Sequence, residues 1–382
     1  MQASVVAANL YRLRSQKGWS QEQLAEKAKL SRIGYRNLES GQSVPRSDTV
    51  LALASALEVP PGQLFEQQPM LRHARFRATK NLASRSAILG DVARWLADVG
   101  ELEQLLERPR GASVLEKVQP AATPEESAAE TRKALELDGR ELIRDICGLL
   151  EARGGILVHP FVAETDAFFG LAVSAEEGGP AVAVNVWARI SVERWIFSVA
   201  HELGHLVLHR NGAFDSARTD EDQAEEAEAN RFASAFLMPD EVFWKEWEET
   251  VGRHFYDRVC KVKRIFHVSY KTVLTRLSNR YSNQKVWSTF VATHKRRHHA
   301  SLDVKAEPQP LGADDFRASE PARGCEPSKL DRYDFFEDGL WRLVRDAMQL
   351  DLITASRAAE ILGKQLEEVR ELQESWQLEA PA

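Results

Sequence analysis

Trp195, Ile196, Val199, Leu203, Leu206 and Val207 recur three and four residues apart, which is the period of an apolar helix face, and they predict one helix over 191–210. Ser191 stands where it can cap the start of that helix, with Glu193 in the first turn. Ala229, Phe232, Ala233, Phe236 and Leu237 draw a second stripe of the same period, on a helix over 220–238. Ahead of both, short apolar runs over 155–162, 167–173 and 180–186, the last two separated by the acidic turn Glu176-Glu177-Gly178-Gly179, predict three strands.

The first 66 residues carry a different pattern. Leu10 and Leu13 mark a first helix, Ser20 caps a second over 21–28 with Gln23 at the capping-box position, and Ser31 caps a third over 32–39 that stops at Gly41. A fourth runs over 47–57, before Pro60-Pro61. With Leu24, Ala25, Leu30, Ile33, Leu38, Leu51 and Leu57 as apolar positions, these short helices predict a compact bundle. Between the two regions, 67–80 is basic and polar and reads as a linker or phosphate-contacting arm, 83–106 as a helix, 108–125 as a loop and 126–153 as one long amphipathic helix. Beyond them, 240–281 reads as helical, 282–328 as a solvated linker and 330–377 as helix again.

The helix over 191–210 contains His201-Glu202-Leu203-Gly204-His205. Residues four apart share a helix face, so His201 and His205 can grip one Zn²⁺, with Mn²⁺ as the alternative, while Glu202 is set to take a proton from water as general base. His209 continues the spacing but lies eight residues from His201, about 12 Å of helix rise, and zinc ligands sit ~2 Å from the metal. It is therefore expected to support the site without ligating. A third ligand is sought on the helix over 220–238, where Glu226 lies three residues before Ala229 on the buried stripe, Glu225 competes, and Glu228 is expected to face solvent. His159 reads as a half-buried strand histidine, and His294, His298 and His299 as part of the linker.

The stretch from Arg194 to His209, followed by Glu226-x-x-Ala229-Asn230-x-Phe232-Ala233-x-x-Phe236-Leu237-Met238-Pro239, resembles the paired signature of the ImmA/IrrE family of metallopeptidases. The resemblance implies Glu226 as third ligand, an α+β zincin-like domain, and an endopeptidase acting on a protein such as a repressor or antitoxin. The segment Trp19-Ser20-Gln21-x-x-Leu24-Ala25 through Leu38-Glu39-Ser40-Gly41 is similar to the XRE, or phage-repressor-like, helix-turn-helix family. In a helix-turn-helix the second helix of the motif enters the major groove. Ser31, Arg32, Tyr35 and Arg36 are thus expected at bases or phosphates of a double-stranded DNA operator. Gln21 resembles the phosphate-contacting glutamine of that family, and binding as a homodimer is expected.

The expected organisation is multidomain: an all-α helix-turn-helix bundle over 1–66, a linker and helical segment over 67–125, the metallopeptidase domain over 126–281, a linker over 282–328 and a small C-terminal helical region over 329–382. Charge supports it. Residues 1–80 hold twelve Lys/Arg against six Asp/Glu, leaving +6 there and −13 for the remainder of a chain of net charge −7. Cys147, Cys260 and Cys325 are far apart, with no C-x-x-C pair, which points to a reducing compartment and argues against a cysteine-held zinc. No apolar run approaches the ~18 residues of a membrane helix and no leader-like N-terminus is present, so a cytoplasmic location without a membrane partner is expected. A DNA-binding regulator whose metallo-domain senses metal or a partner without turnover is the competing reading, and the presence of Glu202 weighs against it.

Overall fold

The computed structural model describes residues 2–65, 71, 74–78, 85–165, 167–187, 189–210, 223–281, 285–303, 307–311 and 339–378. In chain order these contain α1 (Gln2–Gln16), α2 (Gln21–Lys27), α3 (Arg32–Glu39), α4 (Ser47–Leu57), β1 (Ala74–Ala78) and α5 (Arg85–Leu105). Then come α6 (Val114–Lys117), α7 (Pro124–Ala134), α8 (Ile146–Ala152), β2 (Leu157–Phe161), β3 (Phe168–Val173), β4 (Ala181–Asn185), α9 (Val192–Leu208) and α10 (Gln223–Leu237). They are followed by α11 (Asp240–Glu249), α12 (Phe255–Phe266), α13 (Tyr270–Tyr281), α14 (Lys285–His298), α15 (Gly339–Gln349), α16 (Ala355–Leu362) and α17 (Leu366–Leu378). The chain divides into two compact units, one of residues 1–72, 80–110 and 338–382, the other of 73–79 and 111–337.

In the first unit the caps form as the sequence predicts. The Ser20 hydroxyl accepts from the Gln23 amide while the Gln23 side chain accepts from the Ser20 amide, and the Ser31 hydroxyl accepts from the Gly34 amide. Val6, Leu10, Leu13, Leu24, Leu53, Leu57 and Leu64 form the bundle core. Ile33 and Leu51, expected among its apolar positions, are exposed instead. Tyr35 lies in the core with no exposed surface, so the expectation that it contacts DNA is corrected. The cause is Glu39, whose carboxylate accepts 2.8 Å bonds from Arg14 Nε, Arg14 Nη2 and Gln21 Nε2 and a further bond from the Tyr35 hydroxyl. One carboxylate therefore ties together residues of α1, α2 and α3. In the same unit, Leu102 and Leu106 share a second core with Val344, Ala347, Ala358 and Val369.

The second unit is built on a four-stranded sheet of order β1-β3-β4-β2. β3 runs antiparallel to both β1 and β4, and β2 pairs parallel with β4. Every residue of β3 and β4 is buried, as a covered sheet requires. The Asn185 side chain closes the loop after β2, accepting from the amides of Ala163 and Trp187 and donating to the carbonyls of Ala163, Thr165 and Phe168.

Four expectations about this unit are revised. The basic stretch over 67–80 supplies β1, a strand of the sheet. The long helix expected over 126–153 is two helices, because Glu136 takes a left-handed conformation and Asp145 caps a new start at Ile146, its carboxylate accepting from the Gly148 amide. The helical region over 240–281 is broken at Gly252 and His267, both at positive φ. The linker over 282–328 contains α14 and a segment over 307–311 that buries Pro308 and Leu311. There the Glu193 carboxylate accepts from Lys263 Nζ at 2.6 Å and the Leu311 amide at 2.8 Å, and Glu307 lies 3.0 Å from the same ammonium. Lys263 and Glu193 are fully buried, so this cluster fastens the start of α9 to the core.

Candidate metal centre

Gly204 decides how closely the two helices of the site approach. A Cβ at that position would stand 3.0 Å from Phe232 Cδ1 and 3.3 Å from Ala229 Cα, so only glycine lets α10 lie this near α9. Phe232, Ala233 and Phe236 then pack with Val199, Leu203 and Leu206 in one core. This packing brings the first turn of α10 over the histidine face of α9.

His201 Nε2 and His205 Nε2 stand 2.9 Å apart. Glu226 completes the group, with Oε2 3.3 Å from His201 Nε2 and Oε1 3.1 Å from His205 Nε2. Two nitrogens bound to one tetrahedral Zn²⁺ lie about 3.3 Å apart, so the donor set fits a single divalent ion. Among the described residues, these three form the group that could hold a metal.

Each imidazole is oriented through its other nitrogen. His201 Nδ1 donates to Asn230 Oδ1 at 3.1 Å. His205 Nδ1 lies 3.0 Å from His209 Nδ1, and His209 Nε2 lies 3.1 Å from Glu228 Oε2. If His209 donates to the carboxylate and accepts from His205, every proton in the chain has a partner and both Nε2 atoms face the ligand site. Glu228 faces solvent as expected, with 48% of its side chain exposed, and from there its carboxylate still meets His209. Burial pushes the His205 imidazole down to about 3, against the opposing pull of Glu226. Burial also raises the Glu226 carboxyl, but the adjoining His201 and His205 side chains outweigh it and hold that group well below the ordinary carboxylate range.

Glu202 is fully buried beside β3. A Cβ at Gly170 would meet its Cγ and Oε1, both at 3.1 Å, so the carboxylate occupies room that the sheet leaves open. Arg75, which the sequence offers only as one of several linker charges, reaches Glu225 Oε2 at 2.6 Å and stands 3.8 Å from Glu226 Oε1. Glu225, the competing third ligand, is thus engaged by a guanidinium. His159 lies half-buried in β2, stacked on Phe161, with burial pushing its imidazole down to about 4. In the other unit Ser31, Arg32 and Arg36 are exposed on α3, and the Gln21 side chain is turned to Glu39.

Fold and site together define a helix-turn-helix module joined to a mixed α/β domain in which two packed helices, α9 and α10, bring together a His₂Glu donor set. Residues 155–278 match the family described as IrrE N-terminal-like domain, the M78 peptidases, and residues 10–64 match the helix-turn-helix family. The chain therefore carries the fusion of an XRE-type module with an IrrE/ImmA-like peptidase domain. No curated protein matches it. Among solved structures, the apo form of ComR from S. thermophilus aligns over 98% of this chain and 97% of that one at 11% identity, with a TM-score of 0.16, too low to carry an argument. No helix among the described residues is long and apolar enough to cross a membrane.

Proposed function

We propose that the chain is a DNA-binding transcriptional regulator whose second unit is a metal-dependent endopeptidase acting on a protein partner, a repressor or antitoxin-like regulator. The observation that carries this reading is the convergence of His201, His205 and Glu226 on one point beside Glu202. Zn²⁺, or Mn²⁺, held by those three side chains would supply Lewis acidity and lower the pKa of water at the site. Glu202 takes the proton of the attacking water and returns it to the departing amine, so the peptide bond is exchanged for a carboxylate and an amine. His209 and Glu228 keep His205 in the tautomer that presents Nε2. β3, next to Glu202, would give an extended substrate a line of backbone hydrogen bonds independent of side-chain identity once β1 leaves its outer side.

In the first unit, Ser31, Arg32 and Arg36 stand on the exposed face of α3 for contact with bases and phosphates of an operator, and dimerisation on a two-fold site strengthens the contact. Gln21 contributes to a phosphate contact only if it leaves Glu39. A metal or partner sensor without turnover has no use for a buried carboxylate at position 202, so hydrolysis is preferred. The test is Glu202→Gln in the full chain: metal content stays at one ion per chain while cleavage of the cellular partner falls by about 10²–10⁴-fold. Equal proteomes in wild type and variant would remove the hydrolytic reading.

A further inference from the structure

β1 does not come from the segment that defines the peptidase domain. The family match begins at residue 155 and contains β2, β3 and β4, in which β3 and β2 are the two outer strands and β3 is the one beside Glu202. β1 is supplied by residues 74–78, far upstream, and pairs antiparallel along that outer edge. It enters the second unit alone, because the chain on both sides of 73–79 belongs to the first unit.

Its register places it over the candidate site. Arg77 pairs with Gly170, the residue whose missing side chain leaves room for Glu202, and the pairing slips immediately afterwards between Arg77 and Ala78. Arg75, two residues earlier, sends its guanidinium to Glu225 Oε2 at 2.6 Å and to within 3.8 Å of Glu226 Oε1. An extended polypeptide docking beside Glu202 needs the same antiparallel edge, because strand addition uses the free amides and carbonyls of an outer strand.

We propose that β1 is a resident stand-in for substrate: it fills the edge of β3 on which an extended polypeptide docks, Arg75 latches it to Glu225 and Glu226, and substrate enters by displacing it. The inference rests on the reading of β3 as the substrate strand. The partner it defines is an unfolded or extended segment of protein running antiparallel to β3. Five residues with a slip in register, and the Arg75 contacts to Glu225 and Glu226, are what the described residues show holding the stand-in, which suits an element that must leave.

The test uses the full-length chain carrying Glu202→Gln, alone, with Arg75→Gln, and with residues 74–78 replaced by a Gly-Ser sequence. Hydrogen exchange is followed over 168–173 and over α9, and binding is measured with reduced, carboxymethylated α-lactalbumin as a permanently unfolded probe. We expect Arg75→Gln to speed exchange over 168–173 and tighten probe binding, each by about tenfold, with a larger effect for the replaced strand and unchanged protection in α9. Equal exchange and equal affinity in all three proteins would overturn the proposal. So would loss of α9 protection on replacing the strand, which would make β1 part of the core. Tighter probe binding with no hydrolysis by any chain bearing Glu202 would leave the stand-in in place and remove the peptidase reading. Full hydrolysis by wild type, unchanged by Arg75→Gln, would do the reverse.

Discussion

Glu202 occupies the space that a side chain at Gly170 would need, with Cγ and Oε1 each 3.1 Å from where a Cβ would stand and the Ala183 carbonyl oxygen 3.2 Å away on the other side. Glu202 has slack to move and the Ala183 backbone has little. Gly170→Ala is therefore expected to displace the carboxylate by a few tenths of an ångström, leaving metal content unchanged and lowering hydrolysis by about 10–100-fold. Metal analysis beside a turnover assay checks this, and parallel loss of metal would show that the strand supports the ligands instead of the base.

Glu228 and His209 act on the metal only through His205. Glu228→Ala and His209→Phe are each expected to weaken metal binding by about 10–100-fold without removing a ligand. Competition against a chelator of known affinity reads the change. The double variant should fall little below the worse single one, since both break one relay. Fully additive losses would mean that the two residues act separately.

Glu39 and Arg36 separate folding from DNA contact. Removing the Glu39 carboxylate leaves Arg14 largely buried and without its bidentate partner, so Glu39→Ala is expected to cost about 3 kcal/mol in the first unit. Local hydrogen exchange in α1 to α3 measures it. Arg36→Ala, on the exposed face, should leave exchange unaltered, weaken DNA binding and reduce the salt dependence by about one phosphate contact. Unaltered binding would favour a protein-interaction role for α3.

His159 gives the second unit an acid-sensitive margin. Its folded-state imidazole titrates near 4, below the usual 6.5, so the unfolded chain binds the proton first. The stability it contributes is whole above about 6.5 and is lost as pH falls toward 4. Urea titrations at pH 7 and pH 5 should show His159→Gln losing about 1 kcal/mol less than wild type, a figure already reduced for the partial exposure of the residue. Equal losses in the two proteins would exclude it.

The histidine pair was legible because local periodicity sets the two residues four apart on one helix face, whereas periodicity left Glu226 in competition with Glu225 and the family resemblance singled out Glu226. Ser20 and Ser31 were legible for the same reason, since a cap is a local bond. What escaped was non-local. Arg75 looks like any linker arginine until β1 pairs with residues almost a hundred positions later, and a strand with two arginines in five residues has no apolar alternation to announce it. Tyr35 sits between Gly34 and Arg36 in a polar helix, and its burial depends on the hub at Glu39 that three segments share. The break after α7 rests on Glu136 at positive φ, a conformation that no glycine signals.

The salt cluster at Lys263 sets where the peptidase-like unit can be severed. Its ammonium counts on Glu307 as well as Glu193, and the Leu311 amide meets the latter, although the family resemblance stops at 278. Truncating the polypeptide near 300 would strand a cation in the interior with one anion in place of two. A minimal fragment of that unit must therefore run past residue 311, well outside the stretch that identifies it.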